Sequence, residues 1–423
     1  MPYQVNMNKP QSLADQRIIV VPNEYPVPVN SGGRVDVWRR LNVLKESGAA
    51  LGLLTWYDGP RDGPPEQVHR ETVGKVCEEQ HLACISRSLP ELVQRLLHAG
   101  RLPSHVASRW VTLDRTDALA WARRFRPTLL LADGLYGAAV VRWMSAKLGA
   151  PWIYRSHNIE HLYMGMQLAQ AKGLKSRLGL LANIWGLQQF ERDTVADASV
   201  VLDISASDLH YWQDKGNRHM RWVPPIVDTG FTTALAAAAG GPQPHDALYF
   251  GNLNTPNNVE GVRWLVTQVL PRISDNALRL AVAGSKPSQE VVDLITTDKR
   301  LSLIANPVDM TAVVAQAKVL LNPVQGGSGV NLKSVEMLFS DAQLLSTSTG
   351  VQGLPPDVAA CFHVADDPAE FAAKLDLLRK AGPLTAEVLA RRQASREEFT
   401  PAALADRLAD VVRSSQPKAQ QPA

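Results

Sequence analysis

Short apolar runs of strand length alternate with helix-like segments along nearly the whole chain. The runs at 17–21 and 128–131 belong to the first half, and the alternation starts again at 247–251. Strands that alternate with helices form βαβ units, in which helices cover both faces of a mainly parallel sheet. With 423 residues, the chain has the length of two or three domains. The sequence therefore predicts an α/β protein with doubly wound parallel sheets.

The strand pattern falls into two series. The predicted strands are 17–21, 49–55, 81–86, 128–131, 151–154 and 199–204 in the first series, and 247–251, 278–283, 301–304, 319–321 and 343–346 in the second. A helix is predicted at 34–46, and the Gly-, Pro- and Asp-rich stretch 56–66 is predicted to be a loop. Residues 224–245 combine a Pro-Pro pair with an Ala- and Gly-rich run. We place an interdomain linker there, with an N-terminal domain at 1–223 and a C-terminal domain at 246–400.

Composition and charge describe an ordinary globular protein. Hydrophobic residues make up 45% and charged residues 20%, which is enough apolar surface to bury a large core. A net charge of +3 gives no indication of a nucleic-acid partner.

Cys77, Cys84 and Cys361 cannot all pair, and we interpret them as free thiols in a reducing compartment. The N-terminus lacks an apolar signal core and no long apolar run occurs, so we expect a cytoplasmic enzyme that touches a membrane only from outside.

A glycine-rich segment follows the predicted strand 319–321. Residues 322–336 read Asn-Pro-Val-Gln-Gly-Gly-Ser-Gly-Val-Asn-Leu-Lys-Ser-Val-Glu. Its glycines, at 326, 327 and 329, let the backbone turn sharply and approach a ligand closely. We expect a helix to begin near Val330 and to point unpaired N–H groups and its positive dipole end into the loop. Such a loop suits a diphosphate.

Two charged side chains follow in the predicted helix. Lys333 would add a positive charge close to the phosphates, and Glu336 would accept hydrogen bonds from ribose hydroxyls. The alternative is a glycine-rich turn in which both side chains are merely solvated.

The C-terminal half resembles a known family. The order Gly-Ser-Gly-Val-x-x-Lys-x-x-Glu at 327–336 is followed by Leu-Leu-Ser-Thr at 344–347 and Gly-Val-Gln-Gly-Leu at 350–354. This order resembles the C-terminal half of family 4 (group 1) glycosyltransferases, which have the GT-B fold. Upstream, Tyr-Phe-Gly-Asn-Leu-Asn-Thr-Pro-Asn-Asn at 249–258 resembles the first strand, loop and helix of that half.

Three segments extend the resemblance into the N-terminal half. They are Ser-Gly-Gly-Arg at 31–34, Arg-Ser-His-Asn-Ile-Glu-His at 155–161 and the run 197–208. The ordered set covers about residues 17–395 and carries more weight than any one motif.

The resemblance implies two Rossmann-like domains that face each other across a cleft. The N-terminal domain would bind the acceptor and the C-terminal domain a nucleotide-sugar. The last helix, at 401–414, would cross back to the N-terminal domain, and the polar stretch 415–423 would be a flexible tail. The implied reaction moves a hexose from a UDP- or GDP-linked sugar to a glycan or lipid-linked acceptor, with retention of configuration and with no metal or other cofactor. Such enzymes act in bacterial polysaccharide and glycoconjugate synthesis.

On the donor side, the resemblance assigns ligand contacts to two loops and the helix that follows the second loop. The assigned residues are Gly251, Asn252, Asn257, Gly326, Gly327, Ser328, Gly329, Val330, Lys333 and Glu336. The chain departs from the family in two places. The family often carries Glu-x7-Glu, and the first of these positions falls on Ser328. The family also tends to place Arg and Lys after the first strand, but residues 252–258 contain neither, so Lys333, Arg155 or backbone N–H groups would have to neutralise the diphosphate.

On the acceptor side, the assigned residues follow two strands of the N-terminal half. They are Gly32, Gly33, Arg155, His157 and Asn158. The resemblance makes His157 a sugar-facing group, and together with Ser328 and Lys333 it forms the predicted catalytic set. A simple strand-to-helix turn is the alternative for the two glycines. Glu160 and Glu191 are weaker candidates.

The run from His157 to His161 also fits the His-x-x-Glu-His pattern of a zinc metalloprotease. That chemistry needs both histidines on one helical face with zinc between them. Because His157 closely follows a predicted strand, we favour an assignment without a metal site.

A basic, apolar stretch lies at 172–187, inside a longer run, 161–190, that contains no Asp or Glu. Helices of this composition can lie on anionic lipid, so we expect a peripheral contact with the inner face of the cell membrane. A helix packed on the N-terminal domain is the alternative.

Two other functions stay open. A sugar-nucleotide epimerase of the same fold would need acid and base side chains around the sugar. A non-catalytic protein that binds a glycan or a partner protein is favoured by Ser328 and by the missing basic pair after Gly251.

Overall fold

The computed structural model describes residues 12–171 and 173–415, which form two compact units. Unit 1 contains the described residues up to Ile204, the segment Asp208–Val223 and the described residues from Ala402 onward. Unit 2 contains Ser205–Ser207 and Pro224–Pro401. Residues 1–11, Lys172 and the tail residues 416–423 lie outside the described residues.

Each unit is built on one parallel sheet. The strands of unit 1 are β1 (Arg17–Pro22), β2 (Ala50–Asp58), β3 (Glu79–Ile85), β4 (Leu129–Asp133), β5 (Trp152–Ser156), β6 (Val200–Asp203) and β7 (Met220–Trp222), and their order in the sheet is β3-β2-β1-β4-β5-β6-β7. Those of unit 2 are β8 (His245–Asn252), β9 (Leu280–Ser285), β10 (Leu301–Ala305), β11 (Ala317–Asn322), β12 (Gln343–Ser346) and β13 (His363–Val364), in the order β10-β9-β8-β11-β12-β13.

Helices connect the strands throughout. In chain order they are α1 (Gly32–Glu46), α2 (Gly59–Asp62), α3 (Gln67–Gly74), α4 (Leu89–Leu97), α5 (Ser104–Thr112), α6 (Arg115–Phe125), α7 (Ala138–Leu148), α8 (Glu160–Gln170), α9 (Leu174–Ile184), α10 (Leu187–Asp197), α11 (Ala206–Asp214), α12 (Thr229–Ala238), α13 (Pro256–Trp264), α14 (Gln289–Thr296), α15 (Met310–Ala315), α16 (Leu332–Met337), α17 (Ser348–Val351), α18 (Pro356–Ala359), α19 (Pro368–Leu378), α20 (Ala386–Glu397) and α21 (Pro401–Ser415). Within the described ranges, none of them combines the length and apolar character needed to cross a bilayer.

The first strand of each unit lies inside its sheet and pairs with a strand on both sides. β1 pairs with β2 and β4, and β8 pairs with β9 and β11. Helices cover both faces, so the central strands are apolar along their length, and residues 18–21 and 319–321 are each at most 1% exposed. In doubly wound sheets, ligands bind at the carboxyl ends of the strands where the order reverses. The loops after β1 and β4, and after β8 and β11, are therefore the places to look for a site.

The prediction of two doubly wound parallel sheets is confirmed, but one local prediction was wrong. Trp56–Asp58, expected to begin a loop, continue β2, because ladder pairing with β3 up to Asp58 and Ile85 outweighs the local turn signals. The expected linker at 224–245 contains α12, which belongs to unit 2. Its alanine-rich run favours a helix, and the side chain of Asp228 caps it by accepting a hydrogen bond from the Phe231 amide.

Candidate functional site

The glycine-rich loop of unit 2 runs from the end of β11 to the start of α16. The helix begins at Leu332 rather than near Val330, and the side chain of Asn331 caps it by accepting from the Lys333 amide at 3.1 Å. Gly329 has a φ of +67°, a backbone conformation that glycine adopts without strain. The helix is only six residues long, so its dipole contributes less to a bound anion than the sequence suggested.

A buried amide holds this loop in place. Asn322, at the end of β11, donates from Nδ2 to the Ser334 hydroxyl at 2.8 Å, and that hydroxyl donates to the Gly350 carbonyl at 2.6 Å. Gly350 has no room for a side chain, because a Cβ there would lie 2.2 Å from the Ser346 hydroxyl. These contacts join α16 to β11 and to the turn after β12. The sequence alone does not reveal them, since they link residues that are 12 to 16 positions apart.

The side chain of Lys333 lies against residues of β8 and α13. Its Nζ lies 3.3 Å from Asn258 Oδ1 and 3.9 Å from the centroid of the Tyr249 ring. Burial lowers the pKa of Lys333 to about 7, although the charge of Glu336, one turn later, partly opposes this. Residues 252–258, which begin at the end of β8, lack the basic pair that the family tends to have. The amine of Lys333, which comes from α16, lies beside this loop instead.

The other predicted donor residues surround this amine. A Cβ on Gly251 would lie 3.0 Å from Asn258 Nδ2 and 3.3 Å from Lys333 Cε, so a side chain there would press on both residues. The Asn252 carbonyl accepts from Asn258 Nδ2 at 2.9 Å. Asn257 is exposed and faces the glycine loop, because a Cβ on Gly327 would lie 3.8 Å from its Nδ2. The helix cap of α13 is Thr255, so neither Asn257 nor Asn258 serves as the cap.

The remaining donor candidates lie on the loop and on α16. Gly326, Ser328 and Val330 are partly exposed on the loop, and Glu336 is partly exposed on the helix. Ser328 carries no charge, so the site has no carboxylate at the position where the family often has its first glutamate.

In unit 1, a network of buried charges joins α1 to the ends of β4 and β5. Arg40 binds Asp133 through Nη2 at 2.7 Å and Asp36 through Nη1 at 2.9 Å. Arg155 binds Asp36 at 3.1 Å and donates to the Val223 carbonyl at 2.7 Å. All four charged residues are at most 8% exposed. A closed set of two cations and two anions is what allows charges to be held in a protein interior.

The pKa shifts follow from this pairing. Burial alone would raise the pKa values of Asp36 and Asp133, but the charges of Arg40 and Arg155 outweigh it. The pKa of Asp133 is lowered to about 2, and that of Asp36 lies further below its usual range. Both carboxylates are therefore ionised at neutral pH.

This network corrects the role predicted for Arg155. Its side chain is 0% exposed and its hydrogen bonds go to Asp36 and to a backbone carbonyl, so it holds the protein framework and does not face a ligand. His157 rests on the same network, with Nε2 2.9 Å from Asp133 Oδ1. Because an ionised carboxylate can only accept, Asp133 makes Nε2 the protonated nitrogen of this imidazole.

The remaining acceptor candidates are Gly32, Gly33 and Asn158, and they differ in exposure. Gly32 and Gly33 form the exposed first turn of α1, with open space around both Cα atoms. The Asn158 carbonyl accepts a hydrogen bond from the Ser156 hydroxyl at 3.2 Å. Asp36, Arg40 and Asp133 were not among the residues predicted from the sequence. Asp133 was visible as the polar end of an otherwise apolar strand, by the same rule that singled out His157.

The two histidines of the zinc-like pattern bind different carboxylates. His157 precedes α8 and binds Asp133, whereas His161 lies in α8 and binds Glu191 through Nδ1 at 2.5 Å. The Glu191 carboxylate also accepts the backbone N–H groups of Glu160 and His161, so it caps the start of α8. In the described ranges, no three His, Cys, Asp or Glu side chains are grouped so as to hold a metal ion.

Comparison with known proteins places the fold. No protein-family model matches the chain. A Klebsiella pneumoniae protein described as an uncharacterized 44.6 kDa protein in the cps region is 24% identical over 373 residues, which is 84% of this chain and 89% of that protein. HepE from Anabaena, solved in complex with UDP and glucose, matches with a TM-score of 0.61 at 11% identity, over 94% of this chain and 100% of HepE.

Two further solved structures show the same likeness. Sucrose-phosphate synthase from Thermosynechococcus elongatus has a TM-score of 0.63 at 15% identity, over 94% of this chain and 98% of that one. TarM from S. aureus has a TM-score of 0.61 at 8% identity, over 95% and 99%. The fold is GT-B. Membership of family 4 stays a prediction, since these identities show the fold alone.

We predict that Asp133→Asn destabilises unit 1 and flattens its loss of stability in acid. The pKa of Asp133 is lower in the folded state, about 2, than the usual 3.8, so its contribution is complete above about pH 4 and is lost as the pH falls towards 2. Removing the charge leaves Arg40 short of a partner and should cost about 3–5 kcal/mol at pH 7. Thermal unfolding between pH 2 and 7 measures both effects, with exposed Asp117→Asn as the control. Equal melting temperatures for the two variants at pH 7 would contradict the prediction.

Proposed function

We propose that this chain is a glycosyltransferase that moves a sugar from a nucleoside diphosphate donor to an acceptor hydroxyl. The enclosed Lys333, beside the glycine-rich loop at the switch point of a GT-B unit, is the observation that carries this proposal. HepE, which shares the fold, is described in complex with UDP-glucose, and this supports a UDP-linked sugar as the donor. The anomeric bond to the diphosphate would break, the acceptor oxygen would replace it, and the acceptor proton would pass to the departing phosphate.

The proposed roles involve residues of both units. In unit 2, Lys333 and the amides of the 326–329 loop would stabilise the charge of the departing diphosphate, and Glu336 would bind the ribose. In unit 1, His157 would contact the sugar or the acceptor, in an orientation that Asp133 sets. Because Ser328 supplies no negative charge, positive charge on the sugar would be stabilised chiefly by the diphosphate itself. We propose retention of configuration and a hexose as the transferred sugar, on the resemblance to family 4.

The acceptor and location are proposed on separate grounds. A relative from a cps region supports a polysaccharide or lipid-linked acceptor. Exposed apolar side chains on two helices of unit 1 support a contact with the cytoplasmic face of the cell membrane. They include Leu174 and Trp185, which are 75% and 65% exposed within the proposed contact 172–187. Helix α4 adds Leu89, Leu96 and Leu97, each at least 73% exposed, and the loop after it packs on Trp185 through Gly100.

A nucleotide panel tests the donor proposal first. Thermal unfolding with UDP-, GDP-, ADP- and dTDP-sugars, without added metal, should show a higher melting temperature with one nucleotide, because a ligand that binds only the folded state stabilises it. We expect UDP-sugars to give the shift. No shift with any of them would favour the non-catalytic binding protein, and conversion of the donor without an acceptor would favour the epimerase.

We predict that Lys333→Ala and Glu336→Ala weaken binding in different ways. Loss of the amine removes a charged hydrogen bond to phosphate, worth about 1.5–3 kcal/mol, so UDP affinity should fall about tenfold or more while uridine affinity stays unchanged. Loss of Glu336 should weaken uridine and UDP alike. Calorimetric titration with both ligands measures the difference, with exposed Lys299→Ala as the control. If Lys333→Ala lowered both affinities equally, the phosphate role would be wrong.

We predict that vesicles containing anionic phosphatidylglycerol bind the protein through the apolar faces of α4 and α9. The double variant Leu96→Ser, Leu97→Ser should lower the sedimented fraction several-fold, because it removes apolar area that would enter the headgroup region. Leu377→Ser, at a position 69% exposed in unit 2, is the matched control. Zwitterionic vesicles should bind less. Equal binding by both variants would refute this surface.

A further inference from the structure

The side chain of Lys333 is enclosed by neutral groups. It is 8% exposed, and its Cε and Nζ lie 3.3 and 3.4 Å from where a Cβ on Gly251 would stand. The face of the Tyr249 ring covers Nζ from one side, and Asn258 Oδ1 accepts its hydrogen bond. An ammonium in such a place keeps little of its hydration shell.

Asn258 is fixed in this orientation by two other contacts. The Tyr249 hydroxyl donates to Oδ1 at 2.8 Å, and Nδ2 donates to the Asn252 carbonyl at 2.9 Å. The amide therefore presents its oxygen to Lys333, because the opposite orientation would set Oδ1 against the Asn252 carbonyl, which can only accept. Tyr249 lies on β8, Asn258 on α13 and Lys333 on α16, so three elements build one receptacle for the amine.

The charged and titratable groups around Lys333 are few. Burial raises the pKa of the Tyr249 phenol far above its usual value, so it stays neutral. Glu336, on the same helix, favours the protonated amine, but burial outweighs it. Asn258 on α13 carries no charge. At neutral pH the amine is therefore close to the balance between its neutral and charged forms.

We propose that Lys333 takes up a proton when a nucleoside diphosphate-sugar binds, and that Tyr249 and Asn258 are the positioning residues that hold the amine ready for this change. This inference rests on the proposed donor site. The neutral amine accepts a proton from solvent and becomes an ammonium, and the diphosphate, which carries two negative charges, stabilises it. Above about pH 7, the cation that assists the leaving group would thus form chiefly when the donor is bound, and the empty site would carry less unpaired buried charge.

The coupling has a definite pH dependence. Below about pH 7 the amine of the free protein is already charged, so binding takes up no proton and the affinity is flat. Above that pH the free amine is neutral, and the affinity for UDP-glucose should fall about tenfold per pH unit, until the pKa of the bound state is reached.

The test is calorimetric titration with UDP-glucose at pH 6 and pH 8, in buffers of different ionisation enthalpy. UDP-glucose suits the test because its diphosphate does not titrate in this range. We expect close to one proton taken up at pH 8, close to none at pH 6, and none with uridine at either pH. Lys333→Arg keeps a permanent charge and should bind with no proton uptake. Binding at pH 8 without uptake by the wild-type protein would overturn the inference and leave the proposed donor site standing.

A second measurement does not depend on any ligand. With ¹³C-labelled lysine, the Cε resonance that Lys333→Arg removes should titrate with a midpoint near pH 7 in the free protein. Asn258→Asp places a carboxylate beside the amine and should move the Lys333 midpoint upward by more than one pH unit. A wild-type midpoint near 10 would overturn the inference even if no nucleotide bound.

Discussion

Every strand pair in both sheets is parallel, and the positions of the candidate residues depend on this constraint. A parallel strand must be followed by a crossover, so each carboxyl end opens into a loop at the same edge of the sheet. Residues far apart in the chain become neighbours there. Asp133 stands beside Arg155 in the ladder of unit 1, and Asn322 stands beside Ser346 in that of unit 2. Polar groups therefore lie together at the carboxyl-end edge of each sheet, while the interior of the sheet stays apolar.

The two units handle charge at this edge in different ways. Unit 1 buries two cations with two carboxylates, and their mutual attraction offsets the loss of water. That network is closed, and it serves to fix α1 and to orient His157. Unit 2 surrounds Lys333 with an aromatic ring and a neutral amide, which leaves its charge state sensitive to what binds beside it. The paired charges of unit 1 stabilise the protein itself, whereas an amine in neutral surroundings can respond to an anionic ligand.

The departures from the family pattern gain a physical meaning in unit 2. The loop after β8 has asparagines where the family tends to have basic residues, and Asn258 uses its amide to hold an amine that comes from α16. An amine therefore lies beside this loop, although a different element supplies it. Ser328 differs from the glutamate that the family often has there, because its hydroxyl can form hydrogen bonds but carries no charge.

The sequence by itself determined the doubly wound fold, because strand and helix periodicity and their alternation are local properties of the chain. It also singled out Lys333, the glycine loop and His157, since each follows a strand. It could not show that Arg155 is buried in an ion network. The helix within 224–245 was overlooked, although its alanine-rich run and the cap at Asp228 are local signals. Asp36, Arg40, Tyr249 and Asn258 acquire their roles only through partners from other elements. Tertiary structure decided these roles, because burial and the distance between charges set the cost of a charge and the pKa of an amine, and neither is encoded in local sequence.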